Sequence, residues 1–248
     1  MSGVFISRGM TVTIPEGGLT ISLGSDGNLA SSLTIHVRFD VCPTWCKLAI
    51  HHLADAEACR LDRVAAWDKT NEDQKGVSLE REFEASMQAI MAAAIALDAF
   101  YSMIQGHVQL PPTLIQKWRT KRTSRYSQVT EVLRRGFHLK PNGTANLRQN
   151  LKEIYRLRDM AVHPSGKIKA PLLHPEIQVG VEWRFAYFRA QNAEKVVNAT
   201  TGMLWDLAHN GKPTDSKIME YMNTLRPRLV ELYPDGHPSV QQAAPPPT

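Results

Sequence analysis

Leu147, Leu151, Ile154, Arg158 and Ala161 follow one another at spacings of 4, 3, 4 and 3, which lays them along one face of an α-helix. This run constrains the fold more than any other in the chain, because its fourth member is an arginine. A guanidinium on an apolar face loses hydration when that face packs, and it then needs acceptors at the contact. The segment begins after Asn142-Gly143 and runs into His163-Pro164. Proline disfavours helical geometry in the residue before it, so the helix is expected to end at Val162 or His163.

A second long face reads Phe83, Met87, Ile90, Met91, Ala94, Leu97, Tyr101 and Ile104, and Asp98 stands in the same stripe, four residues after Ala94. Ser78 followed by Glu80, Glu82 and Glu84 reads as a helix start, with a capping side chain and acids favoured by the macrodipole, giving a helix over 78–105. An acid and an arginine stranded on two apolar faces satisfy each other if the faces meet. The two helices are therefore expected to pack with Asp98 beside Arg158.

Elsewhere the pattern divides the chain. Met10, Val12, Ile14, then Leu19, Ile21, Leu23, then Leu33, Ile35, Val37, Phe39, Val41 alternate with period two, as strands do, and Gly17-Gly18 and residues 24–28 punctuate them as turns. Helices are expected over 43–68, 113–118, 126–137, 196–209 and 217–233, the last bent at Pro227. Ile177, Val179, Val181, Trp183, Phe185 and Tyr187 alternate, which predicts a strand over 177–188. The fold class is mainly α, with an N-terminal β region over 1–42, a helical domain over 43–233 carrying that inserted strand, and a disordered tail over 234–248, α+β overall.

At 248 residues, 43% hydrophobic and 21% charged, the composition is that of an ordinary folded protein rather than a disordered or fibrous one. Three cysteines are too few for a disulfide framework and suit a reducing compartment. With no signal-like start and no run of about 20 apolar residues, the expectation is a cytoplasmic protein without a membrane partner. The net charge of +5 is concentrated. Between Gly106 and Pro141, eight Lys and Arg face one acid, Glu131, which points to a local patch for an anion such as nucleic acid. Within it Lys117, Arg119, Lys121, Arg122 and Arg125 surround Trp118, a mixture that suits phosphate contact and base stacking.

Arg158 and His163 are separated by four residues at a helix end, with Asp159 directly after the Arg. Five residues turn a helix by about 500°, so the two side chains point about 140° apart on an ideal helix, and a local helix ending or a partner subunit is needed to bring them together. Cys42, Cys46, His51 and His52 superficially suggest zinc, but there is no second matching pair, and buried thiols are the expectation. There is no phosphate-binding glycine loop, no GxSxG and no HExxH.

The phrase YRLRDMAVHP, with Arg158, Asp159 and His163, together with the earlier helix AAAIALDAFYSMI, resembles the HEPN superfamily of helical bundles. Its ribonuclease members carry Arg, four to six residues, then His, with a polar residue directly after the Arg. The resemblance covers about 78–164 and leaves out the N-terminal strands and the 177–188 segment. It implies a homodimer with two motifs facing across a cleft, no metal or other cofactor, RNA as substrate, and the role of a toxin or phage-defence effector, for which a separately encoded antitoxin or sensor would be a further partner. On this reading His163 acts as base or acid near neutral pH, favoured in its protonated form by the helix C-terminus. Arg158 holds the phosphate, Asp159 orients one of them, and Asp98 supports. Other members carry a modified tyrosine two residues after the His; here that position is Ser165. The competing reading is a catalytically inactive HEPN-like module that binds RNA or protein, with Arg158 structural.

Overall fold

The computed structural model describes residues 5–23, 25, 27–163 and 166–238, in two units, Met1–Val41 and Cys42–Thr248. The fold is mainly helical with small antiparallel strand pairs.

In the first unit, β1 (Met10–Thr13) pairs with β4 (His36–Phe39) and β2 (Leu19–Leu23) pairs with β3 (Leu29–Leu33), both antiparallel. The Thr34 amide donates to the Gly18 carbonyl at 2.6 Å, so the two ladders follow one another along one ribbon. Of the turn expected over 24–28, Gly24 and Asp26 lie outside the described residues. Gly27 adopts a φ of 77°, a left-handed value that glycine takes without steric cost.

The second unit contains α1 (Cys42–Ala66), α2 (Glu72–Ile104), α3 (Pro112–Thr120), α4 (Arg125–Gly136), α5 (Pro141–Val162), the strand pair β5 (Leu172–Leu173) and β6 (Gly180–Val181), α6 (Trp183–Tyr187), α7 (Ala190–His209) and α8 (Ser216–Leu232). At the centre is α2, against which α1, α7, α5 and α4 pack. Its middle is built from Ala89, Ala92, Ala93, Ala94 and Ala96, all buried, and side chains this small let neighbouring backbones approach closely. By length and composition α2 is apolar enough to cross a membrane, and just over half of that stretch is buried inside the bundle.

This helix begins earlier than its acids suggested. Asn71 is the cap: its Oδ1 accepts from the Gln74 amide at 2.9 Å, while Gln74 Oε1 accepts from the Asn71 amide, a reciprocal capping box. Ser78 instead sits inside the first turns and donates to the Lys75 carbonyl. Glu82, expected at a helix start, is buried and bonds Arg63 Nε of α1 at 2.6 Å. Its other oxygen accepts from the Ala190 amide at the start of α7. Arg63 also meets Glu176, which Arg60 and Gln191 bond as well. His174, without a visible partner in the sequence, is buried and accepts from the Glu176 amide through Nδ1. This network ties the loop between β5 and β6 to α1, α2 and α7.

The strand expected over 177–188 is corrected. Only Gly180–Val181 is strand, and Trp183–Tyr187 is a single helical turn. Glu182 ends the extended stretch because its carboxylate accepts from the Arg184 amide at 2.8 Å and caps the turn. The aromatics here serve packing: Phe185 of the alternating set and the following Phe188 both lie against Phe83 of α2, at 5.1 and 5.8 Å between centroids. The tail is corrected in its first part. His237 is fully buried, its Nε2 is 2.9 Å from Thr201 Oγ1, and its ring lies 4.6 Å from that of Tyr233. Residues 239–248 lie outside the described residues. The last helix passes through Pro227, which has no amide to donate to the Asn223 carbonyl.

Candidate functional site

The Leu147 to Ala161 stripe packs as its periodicity requires, with Leu151 and Ile154 buried in the core. Arg158 lies at the rim of that core, its side chain 30% exposed. The contact expected between the two helices is present: Arg158 Nη2 reaches Asp98 Oδ2 at 3.4 Å, and its Nη1 bonds Asp159 Oδ1 at 2.9 Å. The other Asp98 oxygen accepts from Arg125 Nε at 2.7 Å and from Tyr155 Oη at 2.9 Å. One carboxylate of α2 therefore gathers side chains from α4 and α5.

Burial of Arg125 works against its charge, but the hydrogen bond and charge of Asp98 outweigh that and hold its pKa above the ordinary value. Its guanidinium also lies 3.9 Å from the centre of the Tyr101 ring, a cation–π contact. Tyr155 is pushed well above the usual tyrosine range, first by burial and then by the neighbouring Asp98 charge, so its hydroxyl remains a donor to Asp98.

A cleft of about 500 Å³ opens beside this cluster, lined by Ser124, Arg125 and Tyr126 at the start of α4 and by Lys152, Tyr155, Arg156, Asp159, Met160 and His163 of α5 and its end. The helix ends at Val162, and His163 has left helical geometry (φ −116°, ψ 74°) while its amide still donates to the Asp159 carbonyl at 2.9 Å. Its side chain is exposed. Arg158 itself is turned to Asp98 and Asp159 rather than lining the cleft with His163. Pro164 and Ser165 lie outside the described residues. The first amides of α4 have no side-chain cap, a setting that favours an anion.

Lys152, Arg156 and Tyr155 were missed from the sequence. A signal for two of them was present: Lys152, Arg156, Asp159 and His163 are spaced by 4, 3 and 4, a polar stripe alongside the apolar one. Reading the helix by its apolar face alone hid it.

The basic patch is smaller than its count of charges. Lys117, Arg119, Lys121 and Arg122 are exposed, whereas Arg125 is drawn into the Asp98 cluster. Glu131 binds both Arg134 and Arg135, at 2.7 and 2.6 Å. Trp118 packs partly against the core, which removes part of its face from any base stacking.

Cys42 and Cys46 are buried in the core, as the thiol expectation holds. Among the described residues, the group that could hold a metal is His51, His52 and Asp55 on α1. The two Nδ1 atoms lie 3.2 and 3.7 Å from Asp55 Oδ2, in a solvent-facing position remote in sequence from the cleft.

No protein-family model, curated protein or solved structure matches this chain.

Proposed function

We propose that the protein is a metal-independent endoribonuclease of the HEPN type. The observation that carries this reading is the cleft in which His163, freed from its helix, stands with Asp159 and the cations Arg125, Lys152 and Arg156. RNA is the substrate this set suits. The 2′-hydroxyl attacks the adjacent phosphorus once a base takes its proton, and the leaving 5′-oxygen needs an acid. A histidine side chain is the residue type that can serve either step around neutral pH. Negative charge growing on the phosphate oxygens needs fixed cations. Arg158, held behind the cleft by Asp98 and Asp159, supplies the planar guanidinium when it turns from those carboxylates to the phosphate, and Lys152 and Arg156 seat the flanking phosphates. Lys117, Arg119, Lys121 and Arg122 guide the strand towards the cleft through charge. In a homodimer two such sites share one opening. The reading places the protein in the cytoplasm, as an effector of toxin or phage-defence type.

One observation favours a second reading. Arg158 is engaged by two carboxylates, as a structural arginine would be, and the protein is then a catalytically inactive module that binds RNA or a protein. Incubation of labelled RNA with the purified chain in EDTA separates the two. The ribonuclease reading requires cleavage that is lost in both His163→Ala and Arg158→Ala; intact RNA across several sequence contexts leaves the binding module.

A further inference from the structure

Apart from Met10, every residue of β1 to β4 is exposed. The register sorts them by chemistry. Leu19 stands opposite Leu33, Ile21 opposite Ser31 and Leu23 opposite Leu29, and alternation along the strands puts all six on one face. Thr20, Ser22, Ala30 and Ser32 form the other face, where the Thr20 and Ser32 hydroxyls bond at 2.7 Å. The β1–β4 ladder repeats the arrangement, with Met10, Val12, Val37 and Phe39 sharing a face. On the apolar face Ile21 is 65%, Leu23 71% and Leu29 74% exposed.

A two-stranded ribbon is marginal in water unless its apolar face is covered, and here five of the six side chains on that face are Leu or Ile, Ser31 being the exception, and all six are exposed. We propose that the β2–β3 ribbon packs through this face against the same face of a second copy of the chain. Three observations select that occupant. The five apolar side chains of that face, Leu19, Ile21, Leu23, Leu29 and Leu33, are each 56–74% exposed, enough for an interface of the ~800 Å² per partner that a stable contact buries. Across 10–39 the formal charges are only Glu16, Asp26 and Arg38, so two copies meet without repulsion, and the face has no cations to hold a nucleic acid or an anionic lipid. An amphipathic ribbon is also self-complementary: two of them, related by a twofold axis, form a two-layer sandwich with sheets about 10 Å apart, an isologous contact in which each copy supplies the same residues. The proposal rests on the ribbon alone and is independent of the reading of the cleft.

Sedimentation velocity of the full chain tests it. The double variant Ile21→Lys with Leu29→Lys is expected to show a lower mass than the wild type at equal concentration, or an apparent Kd raised at least a hundredfold, while Thr20→Lys with Ser32→Lys on the polar face keeps the wild-type mass. Far-UV circular dichroism confirms that each variant retains its helices. Cysteine pairing provides a second readout that preserves the ribbon: Ile21→Cys is expected to form an intermolecular disulfide under mild oxidation and Ser22→Cys is not. One common mass for all three proteins, equal cross-linking at the two cysteine positions, or flotation of the wild type with phosphatidylcholine vesicles that the Ile21 and Leu29 changes abolish would each overturn the proposal.

Discussion

Arg158 and Asp98, sixty residues apart in the chain, meet at 3.4 Å where α5 crosses α2. Asp98 is also the acceptor for Arg125 and Tyr155, so this one carboxylate holds three side chains around the back of the cleft. The relation has consequences for stability as well as for chemistry.

Asp98→Ala takes the carboxylate from the half-buried Arg125 guanidinium and the buried Tyr155 hydroxyl, and leaves Arg158 with Asp159 alone. Loss of a partner under such conditions costs more than the bond itself contributes, and a destabilisation of about 2–3 kcal/mol is expected in chemical denaturation. Tyr155→Phe removes one neutral-to-charged bond and keeps the ring, with an expected cost of about 1 kcal/mol. Equal costs for the two variants would contradict the picture of Asp98 as the shared anchor.

His163 is exposed and outside the helix, so His163→Ala is expected to leave stability within about 0.5 kcal/mol of wild type while removing RNA cleavage. Arg158→Ala is expected to lose both cleavage and stability. A His163→Ala protein that unfolds several kcal/mol more readily would show that the histidine is a structural element.

Glu176 yields a pH dependence. Burial alone would raise its carboxyl, but hydrogen bonds from Arg60 and Arg63 hold it down to about 2, below the ordinary 4.5. An acid with a depressed value contributes stability that is fully present above its unfolded value and disappears as pH falls through the folded one. The stability difference between wild type and Glu176→Gln is therefore expected to be constant above about pH 5 and to shrink between pH 4.5 and 2. Urea titrations at four or five pH values measure it; a difference independent of pH would remove Glu176 from the network's energetics.

Lys121 and Arg122 are exposed. Changing both to Ala is expected to weaken single-stranded RNA binding and to reduce the slope of log K against log salt by about 1.4 units, two phosphate contacts at about 0.7 each. An unchanged slope would mean that the strand follows another path, such as the Lys152 and Arg156 stripe.

The periodic elements could be read in the chain because periodicity is local. The 4-3-4-3 stripe placed α5 and its end, and two misplaced charges on apolar faces located the Asp98–Arg158 contact. What depended on non-local partners could not be read that way. Glu82 resembled a helix-start acid because nothing near it in sequence announces Arg63, and Arg125 resembled a surface cation because its acceptor lies 27 residues upstream. Residues 177–188 alternate like a strand, yet the carboxylate of Glu182 and the aromatic surface around Phe83 settle a helical turn there.

The central claim is attack by a 2′-hydroxyl in the His163 cleft, and the most direct measurement uses two oligonucleotides of one sequence in EDTA, one of RNA and one with 2′-deoxy sugars at the mapped cleavage position. The account predicts cleavage of the first with a 2′,3′-cyclic phosphate end, and none of the second or by His163→Ala. Equal cleavage of both, or cleavage that survives loss of His163, would contradict it.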